Sequence, residues 1–86
     1  MNDDDNELIN LGRGNTIAKR EIVVIARPDS GAIKRLIATY KVKGKVIDLS
    51  GGQRMRSVIL TASGYLVLST LRPKTLAQRF LEPLPD

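Results

Sequence analysis

The sequence predicts an α+β fold: a small, mainly antiparallel sheet with one long helix and one short C-terminal helix. Short runs of β-branched and aliphatic residues, separated by turns rich in glycine and serine, indicate the strands. One long segment has the apolar spacing of a helix, and a proline introduces a shorter one near the end of the chain. A chain of 86 residues has room for a single core, which we assign to residues 8–82, with tails at 1–7 and 83–86.

The predicted sheet begins with a hairpin. Residues 8–11 form a strand, and residues 12–15, Gly-Arg-Gly-Asn, form a turn with Arg13 at its tip, followed by a second extended piece at 16–18. Residues 22–26, Ile-Val-Val-Ile-Ala, are an unbroken apolar run, which predicts a strand covered on both faces. Such a strand lies in the centre of the sheet or is pressed into a contact between subunits.

The long helix is predicted to run to about Lys43, with Asp29 or Ser30 as its N-cap. Gly44 stands in the position that commonly follows the last helical turn. Four apolar residues at helical spacing are expected to face the sheet, namely Ile33, Leu36, Ile37 and Tyr40.

The rest of the chain predicts three consecutive antiparallel strands and the short helix. Residues 46–60 are interpreted as a hairpin whose strands flank a Ser-Gly-Gly-Gln turn, and residues 65–71 as the last strand. Pro73 suits the first position of the C-terminal helix, which ends before Pro83. The apolar stripe of this helix is predicted to be core or subunit interface and consists of Leu76, Ala77, Phe80 and Leu81.

Composition argues against several classes of function. The chain has no cysteine and no histidine, which removes disulfides, thiolate nucleophiles, Cys/His zinc sites and imidazole-based triads. It has no P-loop and no pair of carboxylates placed for acid–base chemistry, so we predict a protein that is not an enzyme and needs no metal or other cofactor. No apolar run is long enough to span a membrane, and the acidic start is unlike a signal peptide, so we expect a cytoplasmic protein without a membrane partner or small-molecule substrate.

Charge is distributed unevenly along the chain. Four of the nine acidic residues lie within 1–7, whereas all fourteen Lys and Arg residues come later. From Leu8 onward, fourteen bases against five acids give a net charge of +9, which suits a polyanion such as nucleic acid. A well-solvated surface explains this excess equally well. The acidic segment is predicted to be a disordered tail, which serves solubility or, alternatively, competes with nucleic acid for the basic sites.

Candidate binding residues lie in the predicted hairpin. Arg54 and Arg56 open its return strand, so they share one strand face about 7 Å apart, close to the spacing of phosphates along a nucleic-acid strand. Asp48 is expected to cap the turn through backbone N–H groups, and an ion pair that positions Arg54 or Arg56 is the alternative.

Further candidates lie earlier in the chain. Lys19 and Arg20 stand at the start of the rigid strand 22–26, where they are suited to phosphate contact, and Arg13 lies at the tip of the first turn. Ordinary solvation of a strand edge is the alternative for Lys19 and Arg20.

Five segments together resemble, in order and spacing, the RemA-like family of bacterial regulators of extracellular-matrix genes: L-I-N-L-G-R-G-N, R-E-I-V-V-I-A, A-I-K-R-L-I, G-K-V-I-D-L-S-G-G-Q-R-M-R-S-V-I-L and L-S-T-L-R-P-K-T-L-A-Q-R-F. The resemblance extends over roughly residues 8 to 81. It implies small α+β protomers assembled in a homo-oligomeric ring that binds DNA through arginines on its outside, without catalysis. By position, the family's basic residues fall on Arg20, Arg54 and Arg56. Gln53 stands where the family typically has an arginine, which makes it a candidate for a phosphate or water contact or, alternatively, for reading a base edge.

Together these observations predict a non-enzymatic regulator of transcription that binds double-stranded DNA and is associated with the nucleoid. Three aromatic residues make a small core, which favours burial against further copies of the chain. No aromatic residue interleaves with the basic cluster, so duplex backbone contact suits the sequence better than base stacking. The rival hypotheses are an oligomeric scaffold or adaptor for an acidic protein, and an RNA-binding module.

Overall fold

The computed structural model describes residues 7–81 and has the predicted α+β class. Its elements in chain order are β1 (Leu8–Gly12), β2 (Asn15–Ala18), a 3-10 turn (Lys19–Glu21), β3 (Ile22–Ala26), α1 (Gly31–Val42), β4 (Val46–Asp48), β5 (Ser57–Thr61), β6 (Leu66–Ser69) and α2 (Pro73–Leu81). Residues 1–6 and 82–86, which hold most of the two predicted tails, lie outside the described residues. Glu7, the last residue of the predicted acidic tail, is buried.

The main sheet is built around β6. Its strand order is β3-β5-β6-β4, and β1 pairs with β2 in a separate antiparallel hairpin, as predicted. β6 runs antiparallel to β5 and parallel to β4. All four residues of β6 are buried, as expected for a strand that is paired on both sides and covered on both faces.

The predicted hairpin over residues 46–60 is wrong, and with it the run of three consecutive antiparallel strands. β4 and β5 are not neighbours, because β6 lies between them. Eight residues, Leu49 to Arg56, join the two strands, and hairpin loops are usually about 2–5 residues long. This connection passes the end of β6, where Leu49 N and Arg56 N donate to Leu68 O and Ser69 O at 2.9 and 2.8 Å.

β3 is an edge strand, which contradicts the interpretation that places it in the centre of the sheet. Within the described residues it pairs with β5 alone, and Val23 and Val24 are 59% and 44% exposed. A register shift between Ile22 and Val24 interrupts the regular alternation of faces. The other interpretation, that a second subunit covers this apolar strand, stays a prediction.

Two apolar cores lie on opposite faces of the sheet. α1 covers one face with its predicted apolar side, and this core includes Ile33, Leu36, Ile37, Tyr40, Val46, Val58, Leu66 and Leu68. The β1–β2 hairpin and α2 cover the other face, in a core that includes Ile9, Leu11, Ile59, Val67, Leu71, Leu76 and Phe80. From the predicted stripe of α2, Leu76 and Phe80 join this core, whereas Ala77 and Leu81 are exposed.

The helix boundaries follow the signals in the sequence. Ser30 is the N-cap of α1, and its Oγ accepts a hydrogen bond from Ile33 N at 3.1 Å. Gly44 follows α1 with a φ of +70°, in the left-handed region that favours glycine. Pro73 occupies the first position of α2, where its missing N–H costs no hydrogen bond.

Replacing Leu76 with alanine tests how α2 contributes to the core. Leu76 is fully buried, so Leu76→Ala is expected to lower the free energy of unfolding by about 2–5 kcal/mol, through lost apolar contact and the cavity left behind. Urea denaturation, monitored by circular dichroism, measures the change. Gln78→Ala, on the exposed side of the same helix, is the control and should change stability by no more than about 0.5 kcal/mol. Equal costs for the two variants would contradict the packing of α2.

Candidate functional site

Three segments meet at one end of the main sheet and line an open groove of about 380 Å³. One follows β3, one precedes β5 and one begins α2. Five cations, one carboxylate, two prolines and a methionine form the lining: Arg27, Pro28, Asp29, Arg54, Met55, Arg56, Arg72, Pro73 and Lys74. We call this surface the cationic groove.

Strand register brings these segments together. Ala26, the last residue of β3, pairs with Val58 of β5, and Ser57 of β5 pairs with Ser69 of β6. The chain therefore leaves β3, enters β5 and leaves β6 at the same end of the sheet. The cations of the groove are far apart in the sequence and become neighbours through the pairing of β5 with β3 and with β6.

Two buried serines fix the chain between β6 and α2. Ser57 Oγ donates to Leu71 O, and Leu71 N donates to Ser69 Oγ at 3.1 Å. Ser69 Oγ lies 3.3 Å from Leu11 O and donates to it, which ties the same segment to β1. Both hydroxyls are thereby satisfied although the serines are fully buried. This network sets the position from which Arg72 extends into the groove.

The positive charge of the groove is poorly balanced. Asp29 Oδ2 lies 3.4 Å from Arg27 Nη2, and both side chains are so exposed that the pair contributes little to stability. The four other cations of the groove make no ion pair with any described residue. The remaining carboxylates of residues 7–81 lie outside the groove lining, at Glu7, Glu21 and Asp48.

Both helices begin at this end of the sheet. α1 follows β3 and α2 follows β6, so the positive ends of their dipoles add to the positive potential there. Neither helix has an acidic residue in its first turn. Instead, Arg72 and Lys74 flank Pro73 at the start of α2. A cation at this position disfavours the helix by about 0.3–1 kcal/mol at low salt, the reverse of the stabilisation that an anion would give.

Arg54 and Arg56 lie in the connection ahead of β5. The strand begins at Ser57, so both precede the strand that was predicted to carry them. Both still line the groove, and Met55 between them packs against the core under α1. The inward methionine and the two arginines alternate as they would in a strand.

The turn of the first hairpin lies against the glycine turn that precedes Gln53. Arg13 has a φ of +56°, and its guanidinium lies across Gly51, where an added Cβ would be 2.8 Å from Arg13 Nη2. Gly51 has a φ of +60°, so glycine is favoured there by both backbone conformation and close contact. Arg13 and Gln53 are exposed at this corner, and Gln53 directly precedes Arg54 in the chain.

Lys19 and Arg20 lie away from the groove. Lys19 Nζ is 3.2 Å from Glu7 Oε2 and 4.8 Å from the centroid of the Phe80 ring, so its charge is engaged within the fold. Arg20 precedes β3, whose first residue pairs with Thr61, at the opposite end of the strand from the groove. At about 3.3 Å per residue, the two ends of β3 are roughly 13 Å apart, and Arg20 lies at the end away from the groove. One copy of the chain therefore does not bring Arg20 together with Arg54 and Arg56.

Sequence reasoning missed three cations of the groove, Arg27, Arg72 and Lys74. Arg27 and Arg72 follow predicted strands, and Lys74 lies in the first turn of the predicted C-terminal helix, so each looks like ordinary solvation of a strand or helix end. The signal that distinguishes Arg72 and Lys74 is the basic start of a helix that has no acidic residue in its first turn.

Asp48 caps the turn after β4, as predicted. Its Oδ1 accepts a hydrogen bond from Ser50 N at 2.8 Å. Hydrogen bonds from the Ser50 side chain and backbone lower the pKa of the Asp48 carboxyl, aided by the charge of Lys41 and opposed by partial burial. Within the described part of the chain it forms no ion pair with Arg54 or Arg56.

Other kinds of site find no support in residues 7–81. They contain no group of three or more His, Cys, Asp or Glu side chains that could hold a metal ion. None of their helices is both long and apolar enough to cross a membrane.

Comparison with known proteins adds a family to this geometry. The model of the RemA-like family, described as "Extracellular matrix regulatory protein A-like", matches residues 8–80. The chain belongs to the RemA-like family. The match includes all six strands, every residue of the cationic groove and α2 as far as Phe80.

Relatives of this RemA-like chain are similar to it over most of their length. A protein of Synechococcus sp. (strain JA-2-3B'a(2-13)) is 44% identical over 81 residues, which cover 94% of this chain and 91% of the relative. A protein of Thermotoga neapolitana is 44% identical over 75 residues, covering 87% and 82%. Both carry the name "Putative regulatory protein". The chain is therefore similar over nearly its whole length to proteins named for regulation.

The cap at Asp48 gives a pH-dependent prediction. Because folding lowers its pKa, the carboxylate contributes stability above its unfolded pKa of about 3.9, and this contribution is lost as the pH falls through the folded value. Asp48→Asn is therefore expected to be less stable than the parent protein at pH 7, with the difference shrinking below about pH 4. Urea denaturation across this pH range measures the difference. A constant difference at every pH would contradict a role for the ionised carboxylate.

The start of α2 predicts a substitution that stabilises the protein. Lys74→Glu places an anion at the helix N-terminus, which should raise the free energy of unfolding by about 0.3–1 kcal/mol at low salt. Thermal denaturation at low and high salt measures the gain, which should diminish as salt screens the charge. Lys74→Gln removes the charge without reversing it, so its stability should lie between those of the parent protein and Lys74→Glu. A destabilised Lys74→Glu variant would show that Lys74 has a stabilising contact.

Proposed function

We propose that this RemA-like protein is a non-enzymatic regulator of transcription that binds double-stranded DNA through cations repeated around a homo-oligomeric ring. The observation that carries the proposal is the cationic groove, where Arg54 and Arg56 meet three further cations and a single carboxylate. An unbalanced cluster of this kind suits a polyanion. The protein would act in the cytoplasm, in association with the nucleoid.

The lining of the groove favours phosphate contact over base recognition. None of its residues is aromatic, so it offers no platform on which bases could stack. Arginine instead presents a planar set of donors that matches phosphate oxygens. Discrimination between sequences would then depend on DNA deformability and on the spacing of contacts, with Gln53 beside the groove as a further polar contact.

The open edges of the sheet support assembly. β3 and β4 are the outer strands, and Val23, Val24 and Ile47 on them are 59%, 44% and 44% exposed. Exposed apolar edge strands tend to pair with further chains unless they are covered. In a ring, the β3 edge of one copy can lie against the β4 edge of the next. Such head-to-tail contacts close on themselves and bury both edges of every copy.

Repetition compensates for the few contacts that each copy makes. Once one groove holds the duplex, neighbouring grooves meet it at high effective concentration, so weak ionic contacts give firm binding together. In such an assembly Arg20, at the far end of β3, is a separate contact point of each protomer. It would contact the duplex at a different place from Arg54 and Arg56 of the same copy.

Replacing Arg54 with alanine tests the proposed DNA contact. Arg54→Ala is expected to weaken binding to duplexes of different sequence. It should also flatten the slope of log affinity against log salt by about 0.9 for each phosphate contact removed. Fluorescence anisotropy titrations at several salt concentrations measure both effects. Lys43→Ala removes an exposed cation just beyond the C-terminal end of α1 and is the matched control.

An unchanged salt slope for Arg54→Ala, or an equal loss in Lys43→Ala, would count against the assignment. Light scattering on the same samples reports the assembly, and a solitary chain that still binds duplex tightly would contradict the role of the ring. Tighter binding to RNA or to an acidic protein than to duplex DNA would favour the rival functions.

A further inference from the structure

The cationic groove concentrates its charge in one compact depression. Backbone phosphates carry one charge each and are spread along the outside of a rod, so a compact depression meets only a few of them. Here five cations and one carboxylate line a single depression of about 380 Å³. That volume lies within the range of about 300–1,000 Å³ that is typical of small-molecule sites.

We propose that the groove binds the phosphate chain of a small polyphosphate, a nucleoside polyphosphate fitting it best, and that this ligand competes with DNA for the same cations. The competition, though not the binding site, rests on the proposed function. The ligand would be a regulator that releases DNA when its concentration rises.

A chain of linked phosphates matches the arrangement of the cations. Such a chain carries several negative charges within a few ångströms, whereas a duplex spreads the same charges along its length. Arg27, Arg54 and Arg72 come from three different segments and can surround a compact anion. Each guanidinium can donate two parallel hydrogen bonds to phosphate oxygens, and Lys74 adds a point charge.

The apolar part of the lining favours a nucleoside over a bare phosphate chain. Pro28, Met55 and Pro73 stand among the cations. An inorganic chain would leave these side chains exposed to water, whereas a sugar and base could cover them. Met55 is suited to such a contact because its thioether is flexible and polarizable.

Asp29 is the acidic residue of the groove, and its carboxylate would repel a bound anion. Its pairing with Arg27 at 3.4 Å is exposed, with 78% and 67% of the two side chains accessible, so the pair is easily opened. An incoming phosphate would compete with the carboxylate for Arg27 and would be repelled by it. Removal of this carboxylate should therefore strengthen binding, while removal of a cation should weaken it.

Isothermal titration calorimetry of the full chain with ATP, inorganic triphosphate and AMP tests the site. The titrations omit divalent cations, which would neutralise the phosphates. We expect ATP to bind about tenfold or more tightly than AMP, and somewhat more tightly than inorganic triphosphate. Arg72→Ala and Lys74→Ala should each lower ATP affinity by about tenfold, and Asp29→Asn should raise it by a few fold. Lys43→Ala, distant from the groove, should change it by no more than about twofold.

Equal affinity for ATP and AMP would overturn the inference, since it would show that the phosphate chain does not contribute to binding. Equal losses in Arg72→Ala, Lys74→Ala and Lys43→Ala would also overturn it, since they indicate unspecific charge attraction. Inorganic triphosphate binding as tightly as ATP would support the phosphate-chain site and overturn the preference for a nucleoside.

Displacement of a fluorescent duplex by ATP tests the competition. We expect release of the duplex with an inhibition constant equal to the calorimetric Kd of ATP. A protein that binds duplex but no ATP would refute this inference and leave the proposed function standing. A protein that binds ATP but no duplex would refute the proposed function, and the competition with it, and leave the phosphate-chain site standing. A duplex that stays bound while ATP occupies the groove would overturn the competition.

Discussion

The pairing of β6 on both of its sides is the constraint on which the rest of the structure depends. Its two partners approach from different parts of the chain, β4 in parallel and β5 in antiparallel orientation. With both faces covered as well, β6 has no freedom to shift its register without exposing apolar side chains. The position of β5 then sets that of β3, and the ends of these strands determine which loops meet.

Gathering cations at one end of a small protein destabilises the fold, and the stabilisation from the two apolar cores must exceed this cost. The cations of the groove are exposed, and salt screens their mutual repulsion over about 10 Å, so each contributes only modestly. Burial of a single large aliphatic side chain stabilises a fold by about 1.5–3 kcal/mol, which exceeds the helix-terminus cost of one cation. The two cores and the serine network can therefore hold like charges together. A polyanion that binds the folded state relieves the repulsion and stabilises the protein in proportion to its concentration.

Local patterns in the sequence predict local structure well and strand partners poorly. The apolar face of α1, its cap at Ser30 and the first hairpin follow from spacing and turn chemistry over a few residues. The Ser-Gly-Gly-Gln turn is equally well identified, but a turn does not determine whether the strands around it pair with each other. That outcome depends on β6, a later strand whose burial makes it the better partner for both. The apolar run of β3 is ambiguous for a similar reason, since one chain does not show whether a second copy covers it.

The candidate site is likewise predictable from the sequence only in its local part. Arg54 and Arg56 are close in sequence, whereas the other cations of the groove join them only through strand pairing. One local conflict nevertheless points to the groove. A sequence consistent at every level would place carboxylates at the start of α2, whereas this chain places Arg72 and Lys74 there. Such departures are expected where a surface must bind a ligand, because the charge that disfavours the helix attracts an anion. The residues that weaken α2 at its first turn are thus two of the three cations that extend the cationic groove beyond Arg54 and Arg56.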